Sequence, residues 1–239
     1  MAAWVTHLMI ADMVMKRVHG LDRRGFCAGN IAPDCNIENE DWTKFIPPRE
    51  VTHWMSGDRK AVSDCDAFCR KYIVERRDTI KSNEHYSFLL GYCSHLITDA
   101  SFYQMLREEK RVNNIWRRIK SDENMRKRAE GLEETWDGLK KVMPKSERMH
   151  EIHVIEAEYL RDHPDSGYFT EILTMQEFPD YIDYMPKSSI VRKIGIMKYM
   201  PELDEAMVNP ISISREEYAD FVNSTAELVM GKFEEFDLI

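Results

Sequence analysis

His95 and Asp99 sit four residues apart in the most apolar stretch of this 239-residue chain, Tyr86 to Leu106. On a helix, positions i and i+4 lie about 40° apart around the axis, so the imidazole and the carboxylate share one face. Burying either group without a partner is strongly unfavourable. A divalent metal would hold both, since zinc accepts histidine nitrogen and aspartate oxygen. A plain buried His–Asp hydrogen bond would satisfy them too. Gly91, one turn before His95, leaves space near this face for an ion or substrate. Three further residues could join a metal site. His7 interrupts an apolar segment, Asp34 follows the Gly29 to Pro33 stretch, and His53 follows the Pro47-Pro48 break beside Trp54.

These residues need elements to position them. Trp4 to Val18 is almost wholly apolar, with His7 and Asp12 as interruptions, and reads as a buried helix that Thr6 can cap. Gly20 to Pro48 carries Gly25, Gly29, Pro33, Pro47 and Pro48 and reads as a long ordered loop, of the kind that often carries function. A polar helix follows from about Met55 to Arg77. Tyr86 to Leu106 is a central helix of roughly six turns. Residues 107–142 are charged, with sparse Ile115, Trp116, Ile119, Leu132, Trp136 and Leu139, which suggests one or two surface helices. Met149 to Leu160 forms another helix. Pro164 to Pro210 is broken by prolines into short pieces. The last helix starts at a capping box, Ser214 with Glu217, and Tyr218, Phe221, Val222, Leu228, Val229, Phe233 and Phe236 fall near one broad face.

Composition points the same way. Glycine (10) and proline (9) are scarce, while methionine (15) and other good helix formers abound. The expected fold is all-α, a single-domain multi-helix bundle over residues 1–239. A net charge of −9 argues against tight nucleic-acid binding, which needs a basic footprint. No apolar run is long enough for a membrane span. The five cysteines show no framework spacing and no signal peptide is evident, so reduced thiols and a cytoplasmic location are expected.

Taken together, His7 in THLMIA, Asp34 in GNIAPD, His53 in THW, and His95 and Asp99 in FLLGYCSHLITD resemble the zinc-dependent phospholipase C family, a relative of the S1/P1 nucleases. The four motifs occur in order across roughly residues 4–105. The resemblance implies a mostly helical fold of that type and a zinc cluster that hydrolyses phosphodiesters with metal-activated water. By motif, Asp34, His53, His95 and Asp99 would form one metal site. His7 and Asp99 would belong to a second, with Asp99 bridging. Asp34 would also orient or deprotonate the water. Secreted relatives use the amine of an N-terminal tryptophan as a ligand; here Trp4 is internal, and removal of Met1 would put the amine of Ala2 five residues before His7. The family's third zinc uses a histidine six residues after the bridging aspartate, where this chain has Met105. It also uses a downstream histidine with a carboxylate four residues on, but Val154 follows His150 and Ala157 follows His153 at that distance. One or two ions are therefore expected rather than three. Manganese or iron would suit the same ligands. The expected partner is a small phosphodiester or a phospholipid head group.

A non-catalytic descendant that keeps the fold and serves as a metal-binding or interaction module is the rival reading. A His-Asp dipeptide phosphohydrolase ranks last, because no adjacent His-Asp pair occurs. His150 and His153 are spaced i, i+3, which does not suit a zinc protease helix. A single Glu147-x-x-His150 falls short of a di-iron pair. His85 reads as a packing or surface residue. Cys65 and Cys69 read as free thiols. The basic clusters at Arg117-Arg118-Lys120 and Arg126-Lys127-Arg128 read as a solvated face.

Overall fold

The computed structural model describes residues 2–55, 63–204, 207 and 209–239. In chain order the first helices are α1 (Trp4–Arg17), α2 (Arg23–Ile31), α3 (Arg49–Thr52), α4 (Cys65–Cys69) and α5 (Asn83–Arg107). They are followed by α6 (Glu109–Ser121), α7 (Glu123–Arg128), α8 (Trp136–Val142), α9 (Lys145–Asp162), α10 (Ser189–Met197) and α11 (Arg215–Glu235). Among the described residues the strands are β1 (Ile37–Glu38) and β2 (Phe45–Ile46), an antiparallel pair with Ile37 opposite Ile46. The class is all-α, as the composition implies. No described helix is long and apolar enough to cross a membrane.

The chain groups into two compact units. The first comprises Met1–Ser101, Pro164–Tyr199 and Val222–Ile239. In it, α1 is buried from Trp4 through Asp12. Thr6 is not its cap: Ala3 holds that position, and Thr6 is itself fully buried one turn inside. Asp12, the second polar interruption, is structural. Its carboxylate accepts hydrogen bonds from Ser166 Oγ at 2.6 Å and from the Gly167 amide at 2.9 Å.

The stretch from Gly20 to Pro48 is not one long loop, because α2 runs through it. Asp22 caps α2, its Oδ1 accepting from the Gly25 amide at 2.7 Å. The glycines that suggested a loop are instead where α2 and α5 press backbone against backbone. A Cβ on Gly25 would stand 2.3 Å from Glu84 O, and one on Gly29 would stand 2.1 Å from Phe88 O. A Cβ on Gly91 would stand 2.2 Å from Phe26 O. Gly91 thus makes room for α2, not for an ion or substrate.

The expected helix from Met55 to Arg77 is shorter where it can be seen. Residues 56–62 lie outside the described set, α4 runs on into a π turn at Arg70–Val74, and a 3-10 turn spans Arg77–Thr79. On α11, Val229 and Phe233 are fully buried and Phe233 meets Phe26 edge-on. Leu228 departs from the expected face and is 57% exposed, since it lies one position, about 100°, off Val229.

The second unit comprises Phe102–His163 and Met200–Phe221. Its thin apolar stripe is built as the spacing suggests. Val112, Ile115, Trp116 and Ile119 of α6 pack with Met125, Leu139, Val142 and Met143, using three short helices where one or two were expected. The capping box forms in full: Ser214 N donates to Glu217 Oε2 at 2.9 Å and Glu217 N to Ser214 Oγ at 3.1 Å. The basic clusters are answered locally by acids. Arg118 pairs with Glu217, Lys127 with Glu123 and Arg128 with Glu147. Exposed His150 pairs with Asp204 at 3.0 Å.

Candidate metal centre

The five sequence candidates, spread from residue 7 to residue 99, converge in the first unit. His7 comes from α1, Asp34 ends the 3-10 turn Ala32–Asp34, His53 follows α3, and His95 and Asp99 share a face of α5. His7 and His95 are fully buried, and His53 is 2% exposed. Two groups of ligand atoms result, Asp34 with His53 and His95, and His7 with His95 and Asp99. Within each group the atoms lie within 4.8 Å of one another.

The plain His95–Asp99 hydrogen bond does not form. His95 Nε2 lies 4.0 Å from Asp99 Oδ2, beyond hydrogen-bond reach. Instead the Nδ1–H of His95 donates to the carbonyl of Asn30 at 2.7 Å. That bond leaves Nε2 with a bare lone pair facing the cluster. His53 is set the same way. Thr52 Oγ1 donates to the Arg49 carbonyl and so accepts from His53 Nδ1 at 2.9 Å. The two Nε2 atoms then face each other at 3.3 Å. The Arg49 guanidinium, with Nη2 2.8 Å from His53 Nε2, supplies positive charge at this point, where a metal ion could also stand. A carbonyl or hydroxyl on the far nitrogen is the usual way a metal-binding imidazole is oriented. His7 stacks on His95 with centroids 3.9 Å apart, and neither of its ring nitrogens has a hydrogen-bond partner. Orphaned buried nitrogens are rare, and these fit a metal.

Asp99 faces both groups. Its Oδ1 is 3.7 Å from His7 Nε2 and accepts from the Ala2 main-chain nitrogen at 3.1 Å. Its Oδ2 is 3.6 Å from His53 Nε2. Asp34 Oδ1 is 3.3 Å from His53 Nε2. Burial pushes both carboxyl groups up. For Asp34 the His53 hydrogen bond and the neighbouring charges overcome this and hold it well below the usual range. For Asp99 the charges of His95 and His7 do so.

Arg49 is the residue that sequence reasoning missed. Its Nη2 is 3.0 Å from Asp99 Oδ2 and 2.8 Å from His53 Nε2, and its Nη1 is 3.5 Å from Asp34 Oδ1. The available signal was its place four residues before His53, on the same face of a helical turn. A metal must compete with this guanidinium for the same atoms. Arg49→Gln is expected to raise zinc affinity at least about tenfold, the worth of one charge-assisted hydrogen bond. Titration against a competing chelator measures it, and an unchanged affinity would rule the competition out.

Burial holds His7 and His95 below the ordinary histidine value of 6.5, His7 well below it. Below 6.5 the unfolded chain therefore takes up protons that the folded chain refuses, and stability falls as pH falls. The depressed aspartates act in the same direction below 3.8. The melting temperature of metal-free protein is expected to drop between roughly pH 7.5 and pH 5.5, and added zinc should offset the drop. A flat profile would contradict the burial of these rings.

A buried cluster of imidazoles and carboxylates on a helical scaffold could hold a metal ion. Residues 6–102 match the family model described as zinc dependent phospholipase C. No curated protein and no solved structure matches the chain.

Proposed function

We propose that this protein hydrolyses phosphodiesters at a zinc centre held by His7, Asp34, His53, His95 and Asp99. The observation that carries the reading is the convergence of the His53 and His95 Nε2 atoms, set 3.3 Å apart by hydrogen bonds on their far nitrogens, with the carboxylates of Asp34 and Asp99 beside them. Zinc, when bound, supplies Lewis-acid charge and a water more acidic than bulk water. The chain's own residues would do the rest. Asp34, ionised and hydrogen-bonded through His53, would orient the attacking water and take its proton. Arg49 would exchange its carboxylate partners for a phosphate oxygen, which a guanidinium binds in a forked geometry. Asp99 would join the two ligand groups.

The segment leading into the site carries exposed Trp42, Ile46 and Val51, which favours a substrate with an apolar part. The test is elemental analysis of purified protein, then hydrolysis of bis-p-nitrophenyl phosphate and of phosphatidylcholine in mixed micelles. The expected result is one or two zinc ions per chain and turnover of at least one substrate, with the micellar lipid preferred. Stoichiometric metal with no turnover of either would support the non-catalytic binding module instead. Failure to bind any divalent metal would overturn the site.

A further inference from the structure

A second cluster of metal-binding atoms lies on another face of α5. Cys65 and Cys69 stand one turn apart on α4, and Cys93 faces them from α5. The Sγ of Cys93 is 2.9 Å from that of Cys65 and 2.7 Å from that of Cys69, and the two α4 sulfurs are 3.9 Å apart. Cys69 and Cys93 are fully buried and Cys65 is 9% exposed. Cys93 lies two residues before His95, about 200° around the helix, so the sulfurs and the imidazoles occupy different faces.

We propose that Cys65, Cys69 and Cys93 form a three-thiolate site for a soft d10 metal ion, with monovalent copper the best fit. Thiolates select soft ions. Zinc–sulfur bonds of about 2.3 Å in a tetrahedron would put sulfurs about 3.8 Å apart. The Cys65–Cys69 pair already has that spacing, at 3.9 Å. Cys93 would have to withdraw by on the order of 1 Å, within reach of a small side-chain rotation. Structural zinc asks for four ligands. Among the described residues the cluster offers three sulfurs and no fourth His, Cys, Asp or Glu, whereas monovalent copper is satisfied by three. Binding exchanges thiol protons for the ion, with no change in oxidation state. The proposal does not depend on the hydrolytic reading, since the two sites share no ligand.

The test is anaerobic titration of the zinc-loaded full chain with monovalent copper buffered by a copper(I) chelator, followed by X-ray absorption at the copper edge. The expected result is one copper per chain, a shell of sulfur atoms only, and retained zinc. Cys69→Ser and Cys65→Ser should each weaken copper binding at least tenfold and leave zinc content and any hydrolysis unchanged. His95→Ala should leave copper binding intact. Nitrogen or oxygen in the copper shell of the wild-type protein would overturn the site. So would copper affinity equal in wild type and both serine variants. Refusal of copper by the reduced protein, with a mass loss of two hydrogens under mild oxidation, would mark the cluster as a disulfide pair and overturn the metal assignment.

Discussion

Asp99→Ala is expected to lower phosphodiester turnover by at least about a hundredfold, the upper end of what losing a residue that merely orients a ligand costs. The expectation rests on position. Asp99 Oδ1 faces His7 and Ala2 N, while Oδ2 faces His53 and Arg49. Among the described residues, Asp99 is the carboxylate set beside both His7 and His53. Metal content should fall with activity, because the substitution removes an anionic oxygen from each group. Asp12→Asn is the matched control. That carboxylate is also buried on the unit's first helix, but it serves Ser166 and Gly167. Asp12→Asn should lower the melting temperature and leave metal content alone. Equal metal content and activity in Asp99→Ala and wild type would remove Asp99 from the centre.

Gly91→Ala should be among the most damaging single-methyl changes away from the ligands. The new Cβ would lie 2.2 Å from Phe26 O and 3.0 Å from both Phe26 C and Gly29 Cα. All three neighbours are backbone, so no side chain can swing away, and α2 must retreat from α5. Overpacking of this kind costs about 3 kcal/mol, which for a chain of this size lowers the melting temperature by roughly 6–12 °C. The retreat has a second effect. The Asn30 carbonyl that holds His95 Nδ1 belongs to α2. Moving it should cost about 10–100-fold in metal affinity. Gly231→Ala on α11 has nothing within 4 Å of its new Cβ and should stabilise by about 0.5–1 kcal/mol. Calorimetry with zinc titration on both variants checks the pair; similar behaviour of the two would show that the α2–α5 approach is not tight.

The candidate ligands were more legible in the sequence than the scaffold was. His7, Asp34, His53, His95 and Asp99 stood out because each is a polar group in an apolar or turn-rich setting, and the structure brings all five together. The helix α2 did not stand out. Its two glycines are unfavourable for an isolated helix, and only the neighbouring α5 backbone explains them. Arg49 gave only a weak signal, its i, i+4 spacing to His53, and Thr52 and the Asn30 carbonyl gave none. An arginine and a threonine beside a histidine are ordinary in a sequence, and a main-chain carbonyl has no sequence signal at all. Leu228 shows the opposite error, since an apolar residue near the right face can still fall outside the buried stripe.

Every candidate ligand precedes residue 100, yet the unit that holds them is closed by residues near the other end of the chain. Phe233 packs on Phe26 of α2, Lys232 pairs with Asp66 at 2.8 Å, and the Tyr86 hydroxyl donates to the Leu238 carbonyl at 2.8 Å. During synthesis the histidines and aspartates therefore emerge long before the packing that fixes their spacing. Loss of α11 would remove no ligand and still unfix the spacing of the imidazoles.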